Sequence, residues 1–427
     1  MGSSRSDASG CVRSTSSLLI GRPKAPPAAT VLRESLVGAA RRAFEIGASL
    51  TWSSHDPFDL LLSPYLGRMP GISSYASRVL VQIGKRSGSG IRRVLRVPQH
   101  EEPKALAEFL RAALIMAECG ESWAGDHVGE LSHRLRALAV NANEGSGWGI
   151  EFPHVSRFGL SAPGRPTIYV TTVACHALLD EYELTGDRAA LEAAREGCRF
   201  IFDGFGSFEH AGQQWLRYSQ GQSNRIINVQ ASGASLLFRF ARTLDDDRLL
   251  RTADRAAEAV LAAQRPDGSW PYSDDGRAPF VDGFHTGFTL QGLAEYASLR
   301  GERAISRLDE SLSSGFAYFR EHLISSDGMP LGMADGSVSL DGQNLGQCIQ
   351  TLLVCGTPAD AETAFRMWDV GFGVDLRGGR LPRHAKFPAL RWTLGPAVQA
   401  TAYLLRTYFP ASPPVARTFL ARPGPCA

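Results

Sequence analysis

The chain has little of what marks several large protein classes. Its seven cysteines, at 11, 119, 175, 198, 348, 355 and 426, are odd in number and form no CxxC pair. A disulfide framework or a zinc knuckle is not expected, and a reducing compartment is. There is no HExxH and no Cys/His pair at ligand spacing, so neither a metal nor a cofactor is expected. No apolar run is long enough to span a membrane, and "STSSLLIGRPKAPP" is too short and too polar for a signal-peptide core. "MGSSRS" fits a myristoylation pattern in form, but a Ser-rich tail accounts for it as well. A net charge of +2 offers no overall excess for nucleic acid or an anionic membrane. The expectation is a cytoplasmic protein with no nucleic-acid partner, acting on a small molecule or an oligosaccharide.

What is present is an ordinary soluble composition, 44% hydrophobic and 21% charged, arranged in a repeat. Helix-period patterns begin near Pro103, Thr171, Asn228, His285, Asn344 and Leu394. Each is rich in Ala and Leu and poor in charge, as in "TTVACHALLDEYELTGD", so it should be buried on most sides. Each of the first five leads through a polar turn to a second helix with one charged face, as in "DRLLRTADRAAEAVLAAQ". A long loop rich in Gly and aromatics then returns to the next pattern. The period exceeds the 34 to 47 residues typical of solenoid repeats. The sixth buried helix, "LGPAVQATAYLLRTYF", has no helix after it; one from Thr30 to Leu50 can supply its partner. These patterns specify an all-α fold, an (α/α)6 toroid of helical hairpins. An open solenoid would need polar capping repeats. Residues 1–28 read as a disordered tail, 29–412 as the toroid with its N-terminal closing helix, and 413–427 as a C-terminal tail.

In such a ring the long loops and the starts of the inner helices meet at one mouth. The loops deliver Trp148, Glu151, His154 and Arg157; Tyr218, Arg225 and Asn228; Trp270, Asp282 and His285; Asp341 and Asn344; and Arg383, His384, Arg391 and Trp392. Flat aromatic faces suit sugar rings or isoprenoid chains. Helix N-termini and guanidinium groups suit an anionic ligand. Asp282, His285, Tyr218 and Glu151 are the candidates for proton transfer, and the others for substrate binding. Each has a plainer explanation too. Asp282 and Asp341 suit N-caps, and Trp148, Trp270 and Trp392 suit packing between repeats. Cys175 and His176, inside an inner helix, read as core. His285 fits capping less well, because a cation at a helix start opposes the dipole. A neutral His285 bonded to Asp282 is the arrangement that proton transfer needs.

"AVLAAQRPDGSWPY" (259–272) resembles the Q-x-x-x-G-x-W element of terpenoid-cyclase-type toroids and, more loosely, of six-hairpin glycosidases. There it is structural and implies a fold rather than a substrate. The cyclase acid motif D-x-D-D is missing, since "LDDD" at 244–247 is a turn between helices. "HDPFDLL", "GWGIEF", "INVQASGASLL", "DGFHTGF" and "LRWTLGPA" together resemble a bacterial and archaeal family of toroid proteins encoded beside polysaccharide or glycoconjugate assembly enzymes. That resemblance implies a role in making or tailoring a glycan, in association with such enzymes, and brings no catalytic residue with it. The leading expectation is a carbohydrate epimerase, lyase or hydrolase acting on an anionic or hydroxylated sugar. An isoprenoid or polyprenyl cyclase-like enzyme and a non-catalytic glycan-binding scaffold are the alternatives.

Overall fold

The structure, a computed structural model, describes residues 29–66, 74–156, 158–244, 246–300, 307–334 and 336–410. The expected tails, and Arg157, lie outside the described residues. The ring is built from the patterns above. The chain enters through α1 (Ala29–Ser49), α2 (Ser74–Arg86) and α3 (Ser89–Val94). The inner helices are α4 (Pro103–Glu118), α7 (Ile168–Thr185), α9 (Ile227–Leu244), α11 (Gly283–Arg300), α13 (Gly342–Cys355) and α16 (Gly395–Tyr408). Their starts fall within three residues of the sequence expectation. Five outer helices follow the first five inner ones: α6 (Val128–Ala137), α8 (Arg188–Arg199), α10 (Asp247–Ala262), α12 (Leu308–His322) and α14 (Pro358–Trp368). Two short helices, α5 (Ser122–Gly125) and α15 (Val374–Arg377), lie in connections.

Each inner helix packs on the next, and α16 returns to α4. The sixth inner helix takes α1 as its outer partner. The fold is therefore the closed (α/α)6 toroid. Side-chain bonds between inner helices join residues at equal depth, such as Ser232 to Thr172 and Ser235 to His176. The inner helices thus run the same way, with their N-termini at one mouth. The outer helices are amphipathic because only one side meets the ring: α8 buries Ala190, Ala194, Gly197 and Cys198.

One tie recurs between repeats. The indoles of Trp148 and Trp270 are wholly or nearly wholly buried. Their N–H groups donate to carbonyls late in the preceding outer helix, Leu135 at 2.7 Å and Val260 at 2.9 Å. Each ring lies over a glycine of the following outer helix, Gly197 or Gly315; a Cβ would collide with the Trp270 ring at Gly315 and with Cys175 Sγ, beside the Trp148 ring, at Gly197. Gln264, which begins the Q-x-x-x-G-x-W element, bonds Gly268 and Ser311 carbonyls and receives Ser311 Oγ at 2.6 Å. The element is structural, as its resemblance implies. Asp246 of the acidic run caps α10 by accepting from Arg248 and Leu249 amides.

Two features were not anticipated from sequence. The first two mouth loops fold into three antiparallel hairpins: β1 (Val140–Ala142) with β2 (Gly145–Gly147), β3 (His154–Ser156) with β4 (Gly159–Ser161), and β5 (Ser207–His210) with β6 (Gln213–Leu216). The inner helices also carry more charge than their Ala-rich patterns suggest, and it faces the axis. Arg111 Nε bonds Asp180 at 2.6 Å, Arg239 bridges Asp180 and Glu183, and Arg111 comes within 3.9 Å of Glu295 across the ring. Tyr169 and Phe288, on helices that are not neighbours, meet at 5.6 Å between ring centroids. The lumen is thereby pinched to a cavity of about 50 Å³. That holds a few waters.

Candidate active site

At the start of α11, Asp282 serves two purposes. Its Oδ1 accepts the backbone N–H of His285 at 2.7 Å, which is an N-cap bond. Its Oδ2 lies 2.7 Å from His285 Nδ1. With Nδ1 committed to a carboxylate, the proton sits there and Nε2 is the free position. No described residue bonds Nε2. The imidazole side chain is 27% exposed and is enclosed by aromatics. Tyr272 is 4.2 Å away between centroids, Phe284 5.1 Å and Phe280 6.1 Å.

Beside this group runs a groove lined by His154, Phe158, Arg165, Thr167, Tyr218 and Tyr272. Burial pushes the Tyr218 phenol up to about 12, which suits a hydrogen-bond donor better than a base at neutral pH. Burial and then the charge of Arg391 push His154 down to about 4, so it is neutral; its Nδ1 is buried without a partner. Arg165 is exposed, and its guanidinium bonds only the Gln220 carbonyl, at 3.0 Å. It has no carboxylate partner among the described residues. Sequence reasoning passed over it, although "GRPT" stands immediately before an inner helix.

Across the mouth, at the start of α4, lies a second cluster. Arg391 forms a two-point bond to Asp56, Nε to Oδ2 and Nη2 to Oδ1, both 2.8 Å. Burial opposes its charge, but Asp56 and Glu102 more than offset that and hold the guanidinium protonated. Glu102 Oε1 lies 3.1 Å from His100 Nε2 and accepts the Glu151 amide at 3.1 Å. The half-buried Glu151 carboxyl is raised to about 7, first by burial and then by the nearby Glu102 charge. A carboxyl at that value can give or take a proton near neutral pH. Just below, the buried Lys104 pairs with Glu108; burial lowers the Lys104 amine and raises the Glu108 carboxyl.

Most of the remaining candidates are held by partners within the fold. Asp341 caps α13 through the Gln343 and Asn344 amides and accepts Trp392 Nε1 at 2.6 Å. Asn344 donates to the Leu331 carbonyl at 2.9 Å. Asn228, in the first turn of α9, is buried with its Oδ1 unpartnered. Arg225 pairs with Asp274 at 3.0 Å and Arg383 with Asp375 at 3.1 Å. His384 packs near Phe372, and burial lowers it to about 4. Each described arginine expected to attract an anion thus already carries a carboxylate, and Arg165 is left as the groove's unneutralised cation. Among the described residues, no group of three or more His, Cys, Asp or Glu is placed to hold a metal ion.

No family model matches the chain, and no curated protein matches it in sequence. Solved structures do match its fold. An unsaturated glucuronyl hydrolase specific for heparin aligns with a TM-score of 0.56 at 12% identity, covering 88% of this chain and 96% of that one. A family 76 α-mannanase of Bacteroides thetaiotaomicron gives 0.55 at 14%, over 71% and 85%. Cellobiose 2-epimerase from Spirochaeta thermophila gives 0.54 at 14%, over 72% and 86%. At these identities the likeness establishes the toroid and leaves the chemistry to be argued from the site.

Proposed function

We propose that the chain is a carbohydrate-processing enzyme that binds its sugar at the toroid mouth and uses His285 Nε2 to move a proton. The observation that carries this reading is the Asp282–His285 pair. A cap alone needs only the carboxylate, whereas here the second oxygen fixes a tautomer and leaves one ring nitrogen open beside aromatic faces. The half-buried Phe158 offers a surface on which a sugar ring can stack, and the half-buried Tyr218 phenol offers a donor to a hydroxyl. Glu151, near 7, is the second proton-transfer group. An epimerase, a lyase or a hydrolase each needs such a pair of groups, and the similar structures act on mannan, cellobiose and heparin-derived sugars. Arg165 suits the carboxylate of an acidic sugar. The setting we favour is the tailoring of a glycan or glycoconjugate.

The test is an activity screen of mannan, cellobiose and unsaturated glucuronides against the wild type and His285→Gln. The expected result is turnover of one class by the wild type and its loss in the variant, with an unchanged melting midpoint. Arg165→Gln should then raise KM for an acidic sugar and leave a neutral one alone. If His285→Gln keeps full turnover on a substrate that the wild type accepts, the assignment of His285 fails.

A further inference from the structure

The helix α2 leaves large apolar side chains on its outward side. It rests on the Asp59–Leu62 turn and on β3, and the side that it buries holds Ser77, Val81 and Gly84. Its outward side carries Tyr75, Val79 and Ile83, which are 76%, 42% and 42% exposed. These recur every four residues and form one apolar stripe. Arg78, Lys85 and Arg86 are exposed around it, and Arg93, Val94 and Arg96 continue the surface on and after α3.

The charge here is one-sided. From Leu60 to His100 the sequence has no Asp or Glu, while Arg68, Arg78, Lys85, Arg86, Arg92, Arg93 and Arg96 fall within it. Of these, Arg92 is neutralised within the fold, by Asp59 at 2.8 Å. Outside this stretch acids outnumber bases, which is how a net charge of +2 conceals a strongly basic face. An apolar stripe flanked by arginine and lysine, with no acid near it in sequence, matches an anionic lipid surface: the apolar side chains enter the headgroup boundary and the cations meet the lipid charge. The chain's own ends do not match. Residues 1–28 hold Arg5, Arg13, Arg22 and Lys24 against Asp7, and residues 411–427 hold Arg417 and Arg422 with no acid. Both would be repelled. Nucleic acid would satisfy the charge and leave the stripe in water.

We propose that the outer face of α2 and α3 docks this chain onto an anionic lipid surface. The mouth lies alongside, because Lys85 Nζ is 5.1 Å from the Phe58 ring and 5.7 Å from the Trp392 ring at its rim. A docked chain therefore holds its mouth beside the headgroups, where glycans carried on lipids are displayed. The docking itself is independent of the catalytic reading.

The test is co-sedimentation of the full chain with vesicles made of equal parts phosphatidylglycerol and phosphatidylcholine, and with phosphatidylcholine alone. Binding is expected to the first and not the second, and it should weaken as salt is raised. Arg78→Gln combined with Arg86→Gln should lower the bound-to-free ratio by roughly tenfold. Val79→Asp combined with Ile83→Asp should do the same or more while the melting midpoint holds. Should that pair melt early, Tyr75→Ser, at the most exposed of the three positions, is read in its place. No binding to the anionic vesicles, equal binding to the neutral ones, or an apolar-stripe variant that binds like the wild type would overturn the proposal. So would preferential binding to a DNA duplex that the stripe variants leave unchanged.

Discussion

Two neighbouring inner helices, α11 and α13, begin with the same device and put it to different use. Asp341 gives one oxygen to the first-turn amides of α13 and the other to the indole of Trp392. Asp282 gives one oxygen to the first turn of α11 and the other to the imidazole of His285. An indole has a single donor, so the first arrangement ends there. An imidazole has a second nitrogen, so the second arrangement passes the carboxylate's influence on to an open atom. The cap is common to both, and the partner of the spare oxygen decides whether the arrangement closes on itself or leaves a ring nitrogen open.

The strongest test of this contrast is His285→Gln. Losing a positioned proton-transfer group should lower turnover by roughly 10²–10⁴-fold, with little change in melting, since glutamine leaves the Asp282 cap intact. Asp282→Asn should also keep the cap but release the tautomer, lowering turnover at constant stability. Asp341→Ala should behave in the opposite way. It removes a cap worth about 0.5–2 kcal/mol and orphans an indole N–H for about 1 kcal/mol more, and urea unfolding should show the loss. Trp392→Phe keeps an aromatic ring against Phe58 but removes that bond, and should cost about 1 kcal/mol.

The smallest expected effect concerns Glu151 on the far side of the mouth. Its folded value near 7 lies above an unfolded value of about 4.3. The folded chain binds this proton more tightly, so the stability it adds is complete below about pH 4 and is lost as pH rises through 7. Glu151→Gln should therefore match the wild type near pH 4 and melt slightly higher at pH 8, by about 1–2 °C. A variant that melts lower at pH 8 would mean that the carboxylate is held by a favourable partner instead.

The ring was legible because burial on all sides forces Ala- and Leu-rich helices, and their spacing gives the repeat length. The closing helix could be inferred because the last inner helix lacked a partner. Asp282 and His285 were legible because three residues of spacing in a first turn put cap and ring together. What stayed hidden depends on distant residues. Nothing near Arg391 announces that its carboxylate is Asp56, 335 positions away. The Lys104, Glu108 and Arg111 series follows one helix face, yet the same pattern would suit a solvent-facing side; only the closed ring makes it line an axis. The β-hairpins left weak signals, because strands of three or four residues are too short to establish a period. The basic face on α2 was averaged away by the net charge of the whole chain.

The pairing of α1 with α16 has a consequence in time. A ribosome adds about 5–20 residues per second, so α1 emerges tens of seconds before the helix that becomes its partner. Through that interval the apolar side of α1, with Leu32, Leu36, Ala39, Ala40 and Ala43, waits for α16. The five hairpins between them can form in order as they are made, because each joins consecutive helices. The last step is different in kind: it joins α1 to α16, which is made hundreds of residues later, and until then the ring stays open. Chaperone demand and misassembly between neighbouring chains should therefore concentrate on this one seam.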